Sequence, residues 1–135
     1  MKILIDSSTL YSAIAHDGKV SKLLDVLIEE HTIVISDYIV EELKRNIIKN
    51  VSEEKKEEAT NIIEDFVSNC QLIKKEDYLK YLKRAEGKIS KKDAPILACG
   101  MLYEIDYLIA SDKEFFEIKT EEVSILSPKD IDEIL

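Results

Sequence analysis

Lys2-Ile3-Leu4-Ile5-Asp6-Ser7-Ser8 opens the chain with an uninterrupted apolar run that ends on a carboxylate. A run that does not alternate predicts a strand covered on both faces, as in a parallel sheet with helices above and below it. Five short apolar runs read as strands: residues 2–6, 32–35, 71–73, 107–110 and 123–126. Helical stripes separate them. Val20, Leu23, Leu24, Leu27 and Ile28 form one, Ile39, Val40, Leu43 and Ile47 a second, and Ala59, Ile62, Ile63, Phe66 and Val67 a third. Tyr78, Leu79 and Leu82 make a shorter stripe that stops at Gly87, a C′ residue. The most regular stripe is Ala94, Leu97, Ala98, Met101, Leu102 and Ile105, and Ser127-Pro128 with Asp130 reads as the start of a terminal helix. Strands alternating with helices predict a three-layer α/β/α sandwich around a mostly parallel five-stranded sheet.

The 135 residues are expected to form a single domain, 1–135, since no repeat, low-complexity tract or linker interrupts them. With 45% hydrophobic and 35% charged residues the chain is globular rather than disordered. No apolar run approaches the length of a membrane span, and the N-terminus lacks the pattern of a signal peptide, so a cytoplasmic location with no membrane partner is expected. Cys70 and Cys99 match no metal-ligand spacing and fall in apolar helical patterns, which predicts buried, reduced thiols. The net charge of −9 is awkward for a nucleic-acid partner, because phosphate binding is usually electrostatic.

Four acids stand where apolar neighbours predict burial: Asp6, Glu42, Asp93 and Asp112. Each has a bland account. Asp6 and Asp93 could cap the helices that follow them, Asp112 could serve a turn, and Glu42 could flank a buried helix face. Jointly they suggest more. In an open parallel sheet, ligands bind beyond the carboxyl ends of the strands, which is where Asp6 and Asp112 fall. If Glu42 and Asp93 converge there too, the four carboxylates make a hard-oxygen site suited to Mg²⁺ or Mn²⁺ rather than zinc. Metal-activated water attacking a phosphorus centre is the chemistry such sites usually perform. At 100° per residue Glu42 lies nearer the apolar face of its helix than Glu41 does, which favours it slightly.

These segments carry a family resemblance. Ile3-Leu4-Ile5-Asp6-Ser7-Ser8, Ile35-Ser36 through Glu42-Leu43, Asp93-Ala94-Pro95-Ile96-Leu97-Ala98 and Tyr107-Leu108-Ile109-Ala110-Ser111-Asp112-Lys113-Glu114-Phe115 resemble, in order and spacing, the PIN-domain ribonucleases, which include VapC-type toxins. The resemblance implies a PIN-like fold and a metal-dependent ribonuclease in which Asp6, Glu42, Asp93 and Asp112 hold one or two Mg²⁺ or Mn²⁺ ions. Cleavage of RNA would leave a 5′-phosphate and a 3′-hydroxyl. An antitoxin protein and a homodimer are partners that the family suggests. Ser8 falls where a small polar residue often orients the first aspartate. The family commonly has Thr where this chain has Ala110, and Ser111 is the candidate substitute hydroxyl. A further acid sometimes follows the last aspartate, and Glu114 and Glu117 are nearby.

Lys44, Arg45, Lys91, Lys92 and Lys113 flank the acidic segments and are candidate RNA contacts. Tyr11, Tyr38, Tyr78, Tyr81, Tyr103 and Tyr107 could stack on bases, although core packing suits most of them. His16 and His31 lack ligand spacing and a paired nucleophile. Three other functions compete. A non-catalytic PIN-like RNA- or protein-binding scaffold is one. A haloacid-dehalogenase-like phosphatase would need a second Asp where Ser8 stands. A response-regulator receiver needs an Asp at the end of its third strand, and Cys70-Gln71-Leu72-Ile73-Lys74 has none. Glycine-rich phosphate loops are disfavoured because Gly18, Gly87 and Gly100 are isolated.

Overall fold

Burial of Ile3, Leu4 and Ile5 organises the molecule: all three have no solvent exposure in the computed structural model, which describes residues 1–15, 19–102 and 104–134. His16 and Tyr103 lie outside the described residues, as do the side chains of Val20 and Leu23. Complete burial of each such side chain is worth about 1.5–3 kcal/mol against leaving it in water. The strand they form, β1 (Lys2–Ile5), lies at the centre of a five-stranded sheet with β2 (Thr32–Ser36), β3 (Gln71–Ile73), β4 (Tyr107–Ile109) and β5 (Ile125–Leu126). The spatial order is β3-β2-β1-β4-β5, and every pairing is parallel. Leu4 sits opposite Val34 on one side and Leu108 on the other.

Among the described residues six α-helices connect and cover the strands: α1 (Ser7–Ala15), α2 (Lys19–Glu30), α3 (Asp37–Asn50), α4 (Glu53–Ser68), α5 (Lys75–Glu86) and α6 (Ala94–Gly100). The chain runs outward from β1 to β2 to β3, then back across the sheet to β4 and β5. With the right-handed crossovers usual in parallel sheets, that puts α1–α4 on one face and α5–α6 on the other; the helices pack mainly within these groups, and α3 also touches α6. Strand order therefore reverses between β1 and β4. Their carboxyl ends flank the crevice where such sheets bind ligands.

Local chemistry sets several boundaries. Ser36 caps α3, its Oγ accepting the Ile39 N–H at 3.2 Å, while Ile39, Leu43 and Ile47 bury the apolar stripe. The strand expected at 123–126 is shorter, because only Ile125 and Leu126 pair with β4, although the Ser124 carbonyl still accepts the Leu108 N–H at 2.9 Å. The stripe expected to run to Ile105 leaves the helix at Gly100. There the Met101 N–H shares the Leu97 and Ala98 carbonyls in a tightened last turn. The chain must then turn into β4, where Asp106 is tied to Lys2 by two hydrogen bonds of 2.8 Å. Gly100 fits because an added Cβ would lie 3.2 Å from Val123 Cγ1. Gly87 follows α5 as expected, but with right-handed backbone (φ −77°, ψ −9°) rather than a left-handed cap. The terminal segment is a 3-10 helix, Pro128–Ile134, with Ser127 Oγ donating to Asp130 at 2.6 Å.

Candidate metal centre at the strand-order switch

Among the described residues six polar side chains are buried: Asp6, Ser7, Thr9, Ser36, Glu42 and Asp93. Only Ser36 is accounted for by helix capping alone. Of the others, Asp6, Ser7, Glu42 and Asp93 line a cleft of about 80 Å³ at the carboxyl end of β1, and Thr9 hydrogen-bonds Asp6 and Ser111 beside it. Asp6, Glu42, Asp93 and Asp112 all line it, together with Ser7, Ser8, Asn46, Lys92 and Ile96. The structure thus gathers the four acids singled out in the sequence. A larger hollow of about 490 Å³ runs along α4, but its acids Glu54, Glu57, Glu58 and Asp65 belong to one solvated helix face.

Asp6 is both a cap and a member of the cleft. Its main-chain N–H donates to the Ile109 carbonyl at 2.9 Å, fixing it against the end of β4. Its Oδ1 accepts the Thr9 N–H at 2.9 Å, which caps α1, and its Oδ2 accepts from Ser8 Oγ at 3.0 Å and the Ser111 N–H at 3.3 Å. Burial raises its pKa, and these donors pull the other way. Ala110, in place of a hydroxyl-bearing residue, is fully buried, and Ser111 serves Asp6 through its main chain. The Ser111 hydroxyl instead pairs with Thr9 Oγ1 at 2.6 Å.

Glu42 is buried where Glu41 is exposed, and its Oε1 accepts from Ser7 Oγ at 2.9 Å, joining α3 to the start of α1. Asn46 stands one turn further along α3 and reaches the same cleft. The i, i+4 spacing from Glu42 is the sequence signal that could have found it.

Asp93 occupies the N-cap position of α6, yet its side chain makes no capping hydrogen bond. The carboxylate is left for the cleft. Its pKa is pushed up to about 7, mainly by burial, then by Glu114 and Asp112 beside it, with Lys92 opposing. The loop entering α6 is anchored twice instead. Tyr38 donates its hydroxyl to the Lys92 carbonyl at 2.6 Å, and Glu114 accepts from Ser90 through both carboxylate oxygens. The Ser90 N–H, and then a hydrogen bond with Asp93, hold the Glu114 pKa below its ordinary value. Burial, with Glu42 and Asp93 nearby, pushes Tyr38 up to about 12.

Asp112 is exposed, unlike the other three, and its Oδ1 accepts the Glu114 N–H at 3.0 Å to cap the 3-10 turn Lys113–Phe116. Carboxylate oxygens of Asp93, Asp112 and Glu114 all lie within 4.8 Å of one another. Of the two acids beyond Asp112, Glu114 is therefore the one in this cluster; Asp6 and Glu42 line the same cleft but are not among its mutually close carboxylates.

The lysines divide. Lys44, Arg45, Lys91, Lys92 and Lys113 are all exposed, but only Lys92 lines the cleft. Among the described residues the ion pairs are Lys56–Glu53 and Arg84–Glu122, so no salt bridge neutralises the four acids. An oxygen-only donor set with uncompensated charge fits a hard divalent cation. Cys70 and Cys99 are free thiols held up at about 12 by burial, which makes them inert. No described helix is long and apolar enough to cross a membrane.

Comparison with known proteins gives a consistent picture. A sequence model of the PIN domain matches residues 4–127. No curated protein sequence matches the chain. Among solved structures, VapBC2 from Rickettsia felis bound to a promoter DNA fragment is similar, with TM-score 0.71 and 20% identity over 94% of this chain and 98% of that one. DNA-bound VapBC from Salmonella typhimurium superposes with TM-score 0.76 and 14% identity, covering 95% and 98% of the two chains. VapC20 from Mycobacterium tuberculosis, a toxin that cleaves the sarcin–ricin loop, gives TM-score 0.57 and 16% identity over 84% and 92%.

Proposed function

Because the chain belongs to the PIN domain family, we propose that it is a metal-dependent endoribonuclease that hydrolyses RNA phosphodiester bonds, and that it is the toxin of a toxin–antitoxin pair. The observation that carries the enzymatic reading is the gathering of Asp6, Glu42, Asp93 and Asp112 in one cleft, with no salt bridge among the described residues to neutralise them. The toxin reading rests on the likeness to VapBC complexes and to a toxin that cleaves the sarcin–ricin loop. An antitoxin protein and a second copy of the chain are the partners proposed with it, in the cytoplasm.

Asp6, Glu42, Asp93 and Asp112 would hold Mg²⁺ or Mn²⁺. Such a cation, when bound, lowers the pKa of water and stabilises charge developing on a phosphoryl group. The chain's own residues prepare the place. Ser8 and the Thr9 and Ser111 amides orient Asp6, and Ser7 orients Glu42. Tyr38 and Glu114 set the loop that carries Asp93. Asp93, whose pKa burial and the neighbouring acids raise to about 7, would have to give up its proton to serve as a ligand near neutrality. Lys92, which lines the cleft, would meet a phosphate of the bound strand.

Purified protein should cleave a panel of RNAs with Mg²⁺ or Mn²⁺ and not with EDTA, and Asp6→Asn or Asp93→Asn should remove the activity. Cleavage by both variants at the wild-type rate would overturn the four-acid site. Tight metal binding with no RNA cut would favour a scaffold. Turnover of a small phosphomonoester that needs Asp6 would favour a phosphatase. For the toxin reading, expression alone should arrest growth, and co-expression of the neighbouring gene should relieve it.

A further inference from the structure

The stretch from Tyr78 to Lys92 holds six of the chain's 19 basic residues and one of its 28 acids. It is net positive inside a molecule of net charge −9. Lys80, Lys83 and Arg84 lie on the last turns of α5, and Lys88, Lys91 and Lys92 on the loop leading to Asp93. All six are exposed. The helix dipole accounts for Lys83 and Arg84, which stand in the last turn of α5. It does not account for three more lysines beyond the helix end.

Two observations separate this tract from an ordinary solvated face. Among the described residues only Arg84 takes part in an ion pair, with Glu122 at 2.7 Å, so the five lysines make no salt bridge there. Outside the tract the described residues hold one further ion pair, Glu53–Lys56 at 2.6 Å, so what sets the tract apart is the density of its unpaired positive charge. Second, Lys80 and Arg84 are drawn together over one ring, 5.2 Å and 5.6 Å from the Tyr81 centroid. The ring quadrupole helps to hold the two like charges close. The tract ends at Lys92, which lines the acidic cleft itself.

We propose that the exposed basic tract Lys80-Lys83-Arg84-Lys88-Lys91-Lys92 is the track along which the RNA backbone approaches the cleft. The tract answers the difficulty that the overall charge poses: within a molecule of net charge −9 it offers phosphate a locally positive route to the cleft. Backbone contacts of this kind position a strand without reading its sequence. The proposal takes its destination from the nuclease reading, but the tract can be tested without catalysis.

The test uses a fluorescently labelled 20-nucleotide single-stranded RNA, with binding followed by anisotropy in EDTA over a series of salt concentrations. The triple variant Lys80→Glu/Lys83→Glu/Lys88→Glu should bind about tenfold more weakly or worse. Its slope of log affinity on log salt should flatten by roughly 0.7 for each phosphate that is no longer neutralised. A control triple reversal at exposed positions elsewhere, Lys22→Glu/Lys55→Glu/Lys119→Glu, changes the net charge equally and should retain most of the affinity. Matched melting curves establish that both variants are folded. Equal losses in the two triples would overturn the proposal, since net charge alone would explain them. So would unchanged affinity in the first triple, or a wild-type protein that binds an acidic peptide or anionic vesicles but not RNA. A wild-type protein that binds RNA through the tract yet cleaves none would leave the track standing and remove the nuclease reading.

Discussion

Glu114 grips Ser90 with both of its oxygens, Oε1 accepting the main-chain N–H at 2.5 Å and Oε2 the hydroxyl at 3.0 Å. Ser90 lies just before Asp93, and Glu114 just after Asp112. The pair therefore bolts together the two segments that bring those acids to the cleft. Glu114 is close enough to be counted with them as a metal ligand. Its two hydrogen bonds give it a different task, setting the position of Asp93.

That difference is measurable. Glu114→Ala should lower kcat by about 10-fold or more, the usual cost of removing a partner that orients a ligand. Glu114→Gln, which keeps one acceptor for the Ser90 N–H, should recover part of the loss. Calorimetric Mn²⁺ titrations should show a much smaller loss of affinity for Glu114→Gln than for Asp93→Asn. Equal losses would make Glu114 a ligand.

Tyr38 is the second bolt, from α3 to the loop carrying Asp93. Tyr38→Phe deletes one hydrogen bond and should cost about 1 kcal/mol in denaturant unfolding. The kinetic loss should fall on kcat with KM little changed. Because the phenol is pushed up to about 12, it stays a donor through neutral and mildly alkaline pH, so this bond should add no pH dependence there.

Asp93 should make its contribution to metal-free stability fall as pH rises, while Glu114, shifted the other way, contributes stability that is lost only at lower pH. The folded pKa of Asp93, about 7, lies above its ordinary value of 3.8, so between those values the folded state binds more protons than the unfolded state. Stability then declines from about pH 4 to about pH 7, since a tenfold difference in proton affinity is worth about 1.4 kcal/mol, and this contribution levels off above that range. Asp6 is shifted in the same direction. Thermal melts in EDTA should show the decline, and Asp93→Asn should flatten it. Added Mn²⁺ should raise Tm more at pH 8 than at pH 5.5. A Tm gain independent of pH would contradict this.

Ala110→Thr places a hydroxyl and a methyl in a site with no exposure, beside an Asp6 already supplied by Ser8, Thr9 and Ser111. Overpacking should cost about 1–3 kcal/mol in unfolding free energy, with no gain in activity. A faster enzyme would mean that the Asp6 hydrogen-bond set is incomplete.

Much of this was legible in the sequence because it follows from period and burial. The unbroken run Ile3-Leu4-Ile5 could only suit a strand covered on both faces, and Glu42 differs from Glu41 by one helical step. The capping account of Asp6 and the turn account of Asp112 were also correct, since each accepts a main-chain N–H of the turn that follows it, whereas Asp93 makes no capping hydrogen bond. Local periodicity does not carry contacts between distant segments. Nothing in the spacing of Ser90 and Glu114, or of Tyr38 and Lys92, announces a hydrogen bond, because the crossover and the turn after β4 bring them together only in the fold. The helix expected to reach Ile105 failed for a similar reason: entry into β4 is fixed by Lys2, over a hundred residues away.

The most direct test compares neighbours on one helix. With Mn²⁺ and a susceptible RNA, the wild-type protein and Glu41→Gln should cleave alike, because Glu41 is exposed, whereas Glu42→Gln, altering the buried acid of the cleft, should cleave at least about 100-fold more slowly. Cleavage by Glu42→Gln at the wild-type rate would contradict the four-acid centre.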